Sequence, residues 1–229
     1  MKVLVVDVGG THVKVLATGR RTPIKFDSGP TLTPRAMVRM VLEATAAWEY
    51  EAVTVGYPGP VVDGRPASEP HNLSPGWVRF DFDKAFGHPV TVVNDAAMQA
   101  LGSYQGGRML FIGLGTGLGT AAIDNGRLQP LELAHLPYRE GKSFEDYLGL
   151  RGLKRLRRQK WEKHVHVVTE MLRNALVADY VMLGGGNVSK LKELPPNARR
   201  GDNANAFRGG FRIWHENPPR QRRGGRTPR

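Results

Sequence analysis

Two apolar runs, each interrupted by a glycine-rich turn and resumed beyond it, dominate the pattern of this chain. The first is Val3-Leu4-Val5-Val6-Asp7-Val8-Gly9-Gly10-Thr11, resumed at Val13 and Val15. The second is Met109-Leu110-Phe111-Ile112-Gly113-Leu114-Gly115-Thr116-Gly117, resumed at Leu118 and Ala121. Short apolar runs bounded by turn residues predict buried strands, and each turn predicts a reversal into a second strand. Thr33-Pro34 predicts a helix start, a cap followed by proline at the first helical position. Met37, Val38, Val41, Leu42, Thr45 and Trp48 then recur at helical spacing. Ala52 to Val55 predicts a strand running into the turn Gly56-Tyr57-Pro58-Gly59-Pro60-Val61, followed by a loop-rich stretch with Asn72 to Trp77. Val90 to Val93 predicts another strand, ending in Asn94-Asp95 at the mouth of a small-residue helix from Ala96 to Tyr104. Ser143 to Asp146 fits a helix-capping pattern. Trp161, Val165, Val168 and Leu172 share one helical face, Val181 to Leu183 predicts a strand opening into Gly184-Gly185-Gly186-Asn187, and a last short helix spans roughly 204–214.

The strand–turn–strand unit recurs 106 residues on, counted from Gly9 to Gly115. That repetition predicts a duplicated α/β fold of two lobes, residues 1–93 and 94–215, with a cleft between them. Glycines in such turns let the backbone approach a ligand, and successive N–H groups form an anion-binding concavity. One turn of this kind is also what an ordinary hairpin looks like. Two of them, with an aspartate at the tip of the first strand, point to two halves gripping one phosphate chain.

Charge refines this picture. The 229 residues carry a net +12, concentrated in two places. Residues 151–163 contribute +6 through Arg151, Lys154, Arg155, Arg157, Arg158, Lys160 and Lys163 against Glu162, and the arginines after Glu216 contribute +5. From Glu216 on, Pro, Arg and Gly dominate, which predicts a disordered basic tail over 216–229. The segment 151–163 is open to two readings, a solvated helix face or a path for a long polyanion such as inorganic polyphosphate or nucleic acid. There is no cysteine, so disulfides and thiolate metal sites are excluded. No apolar run approaches a membrane span, and Asp7 interrupts the first run too early for a signal peptide, so a cytoplasmic protein with no membrane partner is expected.

Taken together, these motifs resemble the ROK family of sugar kinases, a branch of the actin-like ATPase (ribonuclease H-like) fold, over residues 1 to about 215. Asp7-Val8-Gly9-Gly10-Thr11 resembles its first phosphate loop and Gly113 to Gly119 its second. Gly184, Gly185 and Gly186 resemble the loop beneath the nucleoside or the distal phosphates. Gly56 to Val61, Asn72 to Trp77, Asn94-Asp95 and Glu132-Leu133-Ala134-His135 follow in the family's order. Two features depart from the common pattern: Ala134 stands where the family usually has glycine, and the cysteine-rich zinc motif that usually follows the histidine is missing. In both compactness and lack of that motif the chain is similar to the family's zinc-free polyphosphate glucokinases.

The resemblance implies a kinase acting on the 6-hydroxyl of glucose or a related hexose, with ATP or polyphosphate as donor, Mg²⁺ as cofactor and no zinc. Asp95 is the expected general base; taken alone, an aspartate at that place also fits a plain helix cap. Asp7 suits Mg²⁺ through bound water, since a carboxylate at a phosphate turn favours that hard cation. Gly9, Gly10, Gly115, Thr116 and Gly117 would supply backbone to phosphate, and Thr11 a hydroxyl. Lys14 either joins them or faces solvent. Sugar hydroxyls, costly to bury unpaired, suit Asn72, Asn94, Glu132 and His135, with backbone of Gly59 nearby. Glu145 aligns loosely with a further sugar-binding glutamate and equally fits a solvated acid at a helix start. His12, His71, His88, His164, His166 and His215 lack ligand-like spacing. The other reading of the same fold is a non-catalytic sugar-sensing or nucleic-acid-associated protein. Repressors of the family carry a helix-turn-helix ahead of the first phosphate loop, and Met1 stands directly before that loop here, which favours the kinase and argues against nucleic acid. A homodimer is the expected assembly.

Overall fold

The computed structural model describes residues 1–202 and 204–216; beyond Glu216 the expected basic tail lies outside the described residues. The first apolar run forms β1 (Val3–Val8), which turns back through Gly9 and Gly10 into β2 (His12–Ala17) and β3 (Ile24–Asp27). Helix α1 (Pro34–Ala44) follows, with the Thr33 hydroxyl accepting from Ala36 N and Pro34 in the first turn. The helical spacing projected through Trp48 stops earlier, because Thr45 caps the helix and Trp48 N turns back to Thr45 O. Strand β4 (Ala52–Tyr57), the short helix α2 (Phe82–Phe86) and β5 (Val90–Asn94) complete the first sheet, whose order is β3-β2-β1-β4-β5. β1 pairs antiparallel with β2 and parallel with β4.

After α3 (Asp95–Ser103) the plan repeats. β6 (Arg108–Leu114) turns into β7 (Leu118–Asp124), followed by β8 (Arg127–Leu131), α4 (Phe144–Leu148), α5 (Leu150–Ala175), β9 (Tyr180–Gly184) and β10 (Ala198–Arg200). The second sheet runs β8-β7-β6-β9-β10, with β6 antiparallel to β7 and parallel to β9. Strand for strand this is the first sheet again.

The central strands are buried on both faces, as an uninterrupted apolar run requires. Leu4, Val6 and Val8 pack with Met37, Val41, Trp77 and Phe82 on the outer side of the first sheet. On the second sheet, Leu110, Ile112 and Leu183 pack with Phe144, Trp161, Val165 and Val168 in the same way. The inner faces meet α3 and the last helix, α6 (Asn205–Glu216): Val3 and Val5 touch Met98, Ala206 and Phe207, while Met109, Phe111 and Met182 touch Ala97, Leu101 and Ile213. α3 and α6 cross at glycines. A Cβ at Gly102 would overlap Asn205 O, and one at Gly209 would overlap Met98 O. Buried Thr54 pins α6 to β4, donating to Gly210 O at 2.8 Å and accepting from Trp214 Nε1 at 2.9 Å.

The 26-residue α5 is broken at Arg157, whose backbone (φ 60, ψ 161) is not helical. Residues 151–163 therefore do not form one continuous helix face. Among the described residues no helix is long and apolar enough to cross a membrane.

Candidate active site

The reversal after β1 closes with Gly9 N donating to His12 O at 2.9 Å, and Ser28 Oγ donates to Gly9 O at 2.6 Å. Gly10 lies against Asn72, whose Cβ would stand 3.2 Å from any Cβ added there. A side chain at Gly10 would push away the loop that brings Asn72 to the first turn. Asn72 and Thr11 are both exposed beside that turn. Glu69 shapes the loop, its carboxylate accepting from Gly76 N and Trp77 N at 2.9 Å each.

The second turn closes with Gly115 N donating to Gly117 O at 3.1 Å. Two neighbours hold it from outside. Glu145 Oε2 accepts from Leu118 N at 3.1 Å, and Asn187 Nδ2 donates to Gly115 O at 2.7 Å. The second bond joins the turn to the third glycine loop, Gly184 to Gly186. Gly185 there has φ 84, and a Cβ on it would lie 2.5 Å from Leu114 O. Thr116 points outward, exposed, and around Gly186 there is open space. The second and third loops thus form one continuous surface of backbone.

Asp7 ends β1 with its side chain only 12% exposed, and Lys14 Nζ stands 3.7 Å from its Oδ2. The pairing of Asp7 with Lys14 across β1 and β2 causes this, and it brings the Lys14 ammonium to Asp7 while leaving the side chain 36% exposed. Burial raises the Asp7 pKa from the ordinary 3.8, and Lys14 opposes the rise.

Asp95 occupies the first position of α3 and is half-buried. The cap of that helix is its neighbour. Asn94 Oδ1 accepts from Ala97 N at 2.9 Å, and its Nδ2 donates to Gly59 O at 3.0 Å. A cap is satisfied by one side chain, so Asp95 is relieved of that duty; among the described residues its carboxylate is hydrogen-bonded by backbone N–H at the start of its own helix, Ala96 N at 2.8 Å among them. Its pKa is pushed up to about 7, chiefly by burial and then by the charges of Asp7 and Glu132. Asp95 therefore stands within electrostatic reach of the first turn on one side and of Glu132 on the other.

Glu132 follows β8. Buried Thr120 brackets it, donating to Leu131 O at 2.8 Å and accepting from Leu133 N at 3.2 Å. Its pKa is raised by burial and by Glu145 and lowered by His135, so these three side chains share one region. His135 is exposed there. Ala134 is buried and lies outside the left-handed backbone region, so the position has no need of glycine. Glu145, 22% exposed, is tied to Leu118 N and at 3.3 Å to Arg151, and so is not a freely solvated acid.

The sequence assigns no site role to Glu69, Thr120 or Asn187, and Arg151 enters it only as part of the basic segment. Thr120 carried a signal, a hydroxyl within the apolar alternation of β7; Glu69 and Asn187 are ordinary surface types, and the partner of Asn187, Gly115, is distant in sequence.

For magnesium, the donor set fits. The ion keeps most of its water and takes one or two carboxylates together with phosphate oxygens, and Asp7 offers a buried carboxylate that Lys14 only partly neutralises. Among the described residues no group of three or more His, Asp or Glu is placed to hold a metal on protein ligands alone.

A sequence model described as the ROK family matches residues 3–130. The chain is 28% identical over 205 residues to a polyphosphate glucokinase of Mycobacterium leprae, the match spanning 79% of this chain and 62% of that protein. It is 29% identical over 219 residues to a polyphosphate glucokinase of Mycobacterium tuberculosis, covering 83% and 80% of the two chains. Its fold is similar to the crystal structure of an inorganic polyphosphate/ATP-glucomannokinase from Arthrobacter sp. strain KM, with a TM-score of 0.80, 23% identity and coverage of 94% and 99%.

Proposed function

The chain belongs to the ROK family, and from that premise we propose that it is a sugar kinase, transferring a phosphoryl group from ATP or polyphosphate to the 6-hydroxyl of glucose or a related hexose. The observation that carries this reading is Asp95, freed from capping by Asn94 and standing between the Asp7 turn and Glu132 with its pKa pushed up to about 7. A general base is most effective when its pKa lies near the working pH.

In this reading the hexose lies among Asn72, Asn94, Glu132 and His135, beside the Gly59 backbone. Asn94 has one amide N–H to spare after its bond to Gly59. Asp95 accepts the 6-hydroxyl proton as the oxygen attacks. Backbone N–H groups of Gly10 and Gly117, with the Thr11 and Thr116 hydroxyls and Lys14, orient the donor phosphates, while Gly9 and Gly115, whose own N–H groups close the two turns, let the backbone come near them, and Gly184 to Gly186 carry the part of the donor behind them. Asp7 would hold Mg²⁺ through its water, and the ion when bound neutralises charge on the transferring group. Glu145 serves the site by fixing the second turn through Leu118 N.

The test is a coupled assay for sugar phosphate run with ATP and with long-chain polyphosphate across glucose, mannose and N-acetylated hexoses. Hexose 6-phosphate formation dependent on Mg²⁺ is the expected result. Sugar binding without turnover on either donor would replace the kinase with a sugar-sensing protein.

A further inference from the structure

The second turn closes on itself through one bond, Gly115 N to Gly117 O, and Asn187 holds its first glycine from the third loop. Its far side is gripped by the junction of α4 and α5. Leu150 N donates to Thr116 O at 3.2 Å, and Glu145 Oε2 accepts from Leu118 N at 3.1 Å. The same carboxylate lies so close to Gly117 that a Cβ there would stand 2.6 Å from Oε2. Thr116, Gly117 and Leu118, consecutive along the turn, therefore take their positions from Glu145 and Leu150. The backbone of Glu145 is fixed as well, its N donating to Ala134 O at 2.9 Å and its O accepting from Gly149 N at 2.8 Å. One residue thus ties the loop of Glu132 and His135 to the turn that faces the donor.

A single N–H is a weak hold for a carboxylate whose charge reaches Glu132 and raises its pKa. Two neighbouring carboxylates repel, and either would relieve the repulsion by swinging toward solvent or taking up a proton. Arg151 supplies the missing charge. It lies in the first turn of α5, next to Leu150, and its Nη2 reaches back to Glu145 Oε1 at 3.3 Å. Oε2 is left to Leu118 N. The other acid that Arg151 faces, Asp146, is taken up by the Ser143 capping box. Among the described residues, Arg151 is the one cation paired with Glu145.

A surface ion pair ordinarily contributes little, because water screens it and two long side chains must be held still. Arg151, 78% exposed, fits that description at its own end. The other end does not. The Glu145 side chain is mostly buried, and its second oxygen accepts from the backbone of a turn built to meet phosphate. Hydrogen bonds to an ionised group in such a place are stronger than neutral ones.

We infer that Arg151 is a positioning residue for the second turn: it holds the Glu145 carboxylate on Leu118 N and so keeps Thr116, Gly117 and Leu118 in the shape that receives the donor phosphates. The inference rests on the kinase reading above. Arg151 itself makes no contact with the donor, and its action passes through Glu145. Without the guanidinium, Glu145 stands charged beside Glu132 with only an amide to hold it, and the turn loosens. The Gly117 N–H and the Thr116 hydroxyl then meet phosphate in more than one arrangement, which weakens binding of any phosphoryl donor. The hexose side is spared, because its link to Glu145 runs through the backbone bond to Ala134 O. Asp95 is spared too, its place being set by α3.

The test is a double-mutant cycle on Arg151→Gln and Glu145→Gln, with Arg151→Lys as the conservative variant. Sugar phosphate formation is followed with ATP and with long-chain polyphosphate, and exchange of the Leu118 amide hydrogen is followed by NMR in donor-free protein. Arg151→Gln should raise the KM for either donor about three- to tenfold, while kcat and the KM for hexose move less than about twofold. Leu118 should exchange about three- to tenfold faster in that variant, and Arg151→Lys should recover part of both losses. In the Glu145→Gln background, Arg151→Gln should add less than about twofold to either readout, because the partner it acts through is already gone. A full additional loss in that background, or a higher donor KM with Leu118 exchange unchanged, would show that Arg151 meets the donor directly and would overturn the inference. Normal donor KM and normal exchange in Arg151→Gln would overturn it as well, leaving an idle surface pair. A wild-type chain that forms no sugar phosphate with either donor would remove the kinase reading alone, since amide exchange reads the hold on Leu118 without turnover.

Discussion

Asp95 combines two effects of one environment. Burial and the charges of Asp7 and Glu132 hold its proton up to about pH 7, which suits a base and strains the fold once the proton is gone. The folded-state pKa lies above the ordinary 3.8, so this residue's contribution to stability is complete below about 3.8 and is lost as pH rises through about 7. Asp95→Asn keeps the shape and the Ala96 contact without the charge. It should reduce kcat by about 10²–10⁴-fold with sugar binding retained. The same variant should melt higher than wild type, by a margin that grows from about pH 4 and levels off above about pH 7, each kcal/mol relieved being worth about 2–4 °C. Kinetics and thermal melts across pH check both arms, and wild-type kcat/KM should fall on the acid side of about pH 7 as the base is protonated. Near-normal turnover in the variant would take Asp95 out of the mechanism. From sequence, Asn94 and Asp95 were interchangeable as caps, because both side chains suit the position. The end of β5 decides between them, placing Asn94 where it can reach both Ala97 N and Gly59 O.

At the scale of elements, the features legible in sequence are those whose causes are local. The apolar runs and glycine turns gave both strand pairs, and Ser143 and Asp146 form their reciprocal capping box. The buried face Trp161, Val165, Val168 and Leu172 lies where its spacing placed it. The break in α5 was not legible, because nothing in Leu156-Arg157-Arg158 disfavours a helix. Packing on both sides imposes it: Gly152 is pressed against Tyr147 O, and Trp161 Nε1 donates to Leu148 O at 2.9 Å. Arg157 consequently occupies a region normally left to glycine, at a cost of about 1–3 kcal/mol. Arg157→Gly should relieve that strain, less about 0.5–1 kcal/mol of added unfolded-state freedom, and raise Tm by about 2–4 °C per kcal/mol gained. Arg157→Ala removes the charge and keeps the strain, so it should show no such gain in the same melts. The convergence of Asp95, Glu132, His135 and Glu145 was implied by the family resemblance and not by the residues themselves, for a related reason. Their order along the chain is visible, but their proximity depends on long-range holds such as Thr120 and the Glu145–Leu118 bond.

Over the whole molecule, the two equivalent sheets meet through α3 and α6, and their glycine crossing governs how closely α3 can bring Asp95 to the second turn. Ala96, the next residue, already lies against β7, its Cβ 2.7 Å from where a Cβ on Gly119 would be. Gly209→Ala would drive a methyl group into Met98 O and force the helices apart. Overpacking of this kind costs about 1–3 kcal/mol, a fall in Tm of about 2–4 °C for each kcal/mol, and kcat should drop with it because α3 carries the base. Thermal melts and steady-state kinetics on that variant check the two together; a lower Tm with kcat unchanged would show that the crossing sets stability alone. The same crossing bears on how the chain is made. Val3 and Val5 are covered by Ala206 and Phe207, which follow them only about 200 residues later in synthesis. At about 5–20 residues per second, the inner face of the first sheet waits roughly 10–40 s for its partner. During that interval the nascent protein presents a strip of valines to whatever chaperone, or neighbouring nascent chain, arrives first.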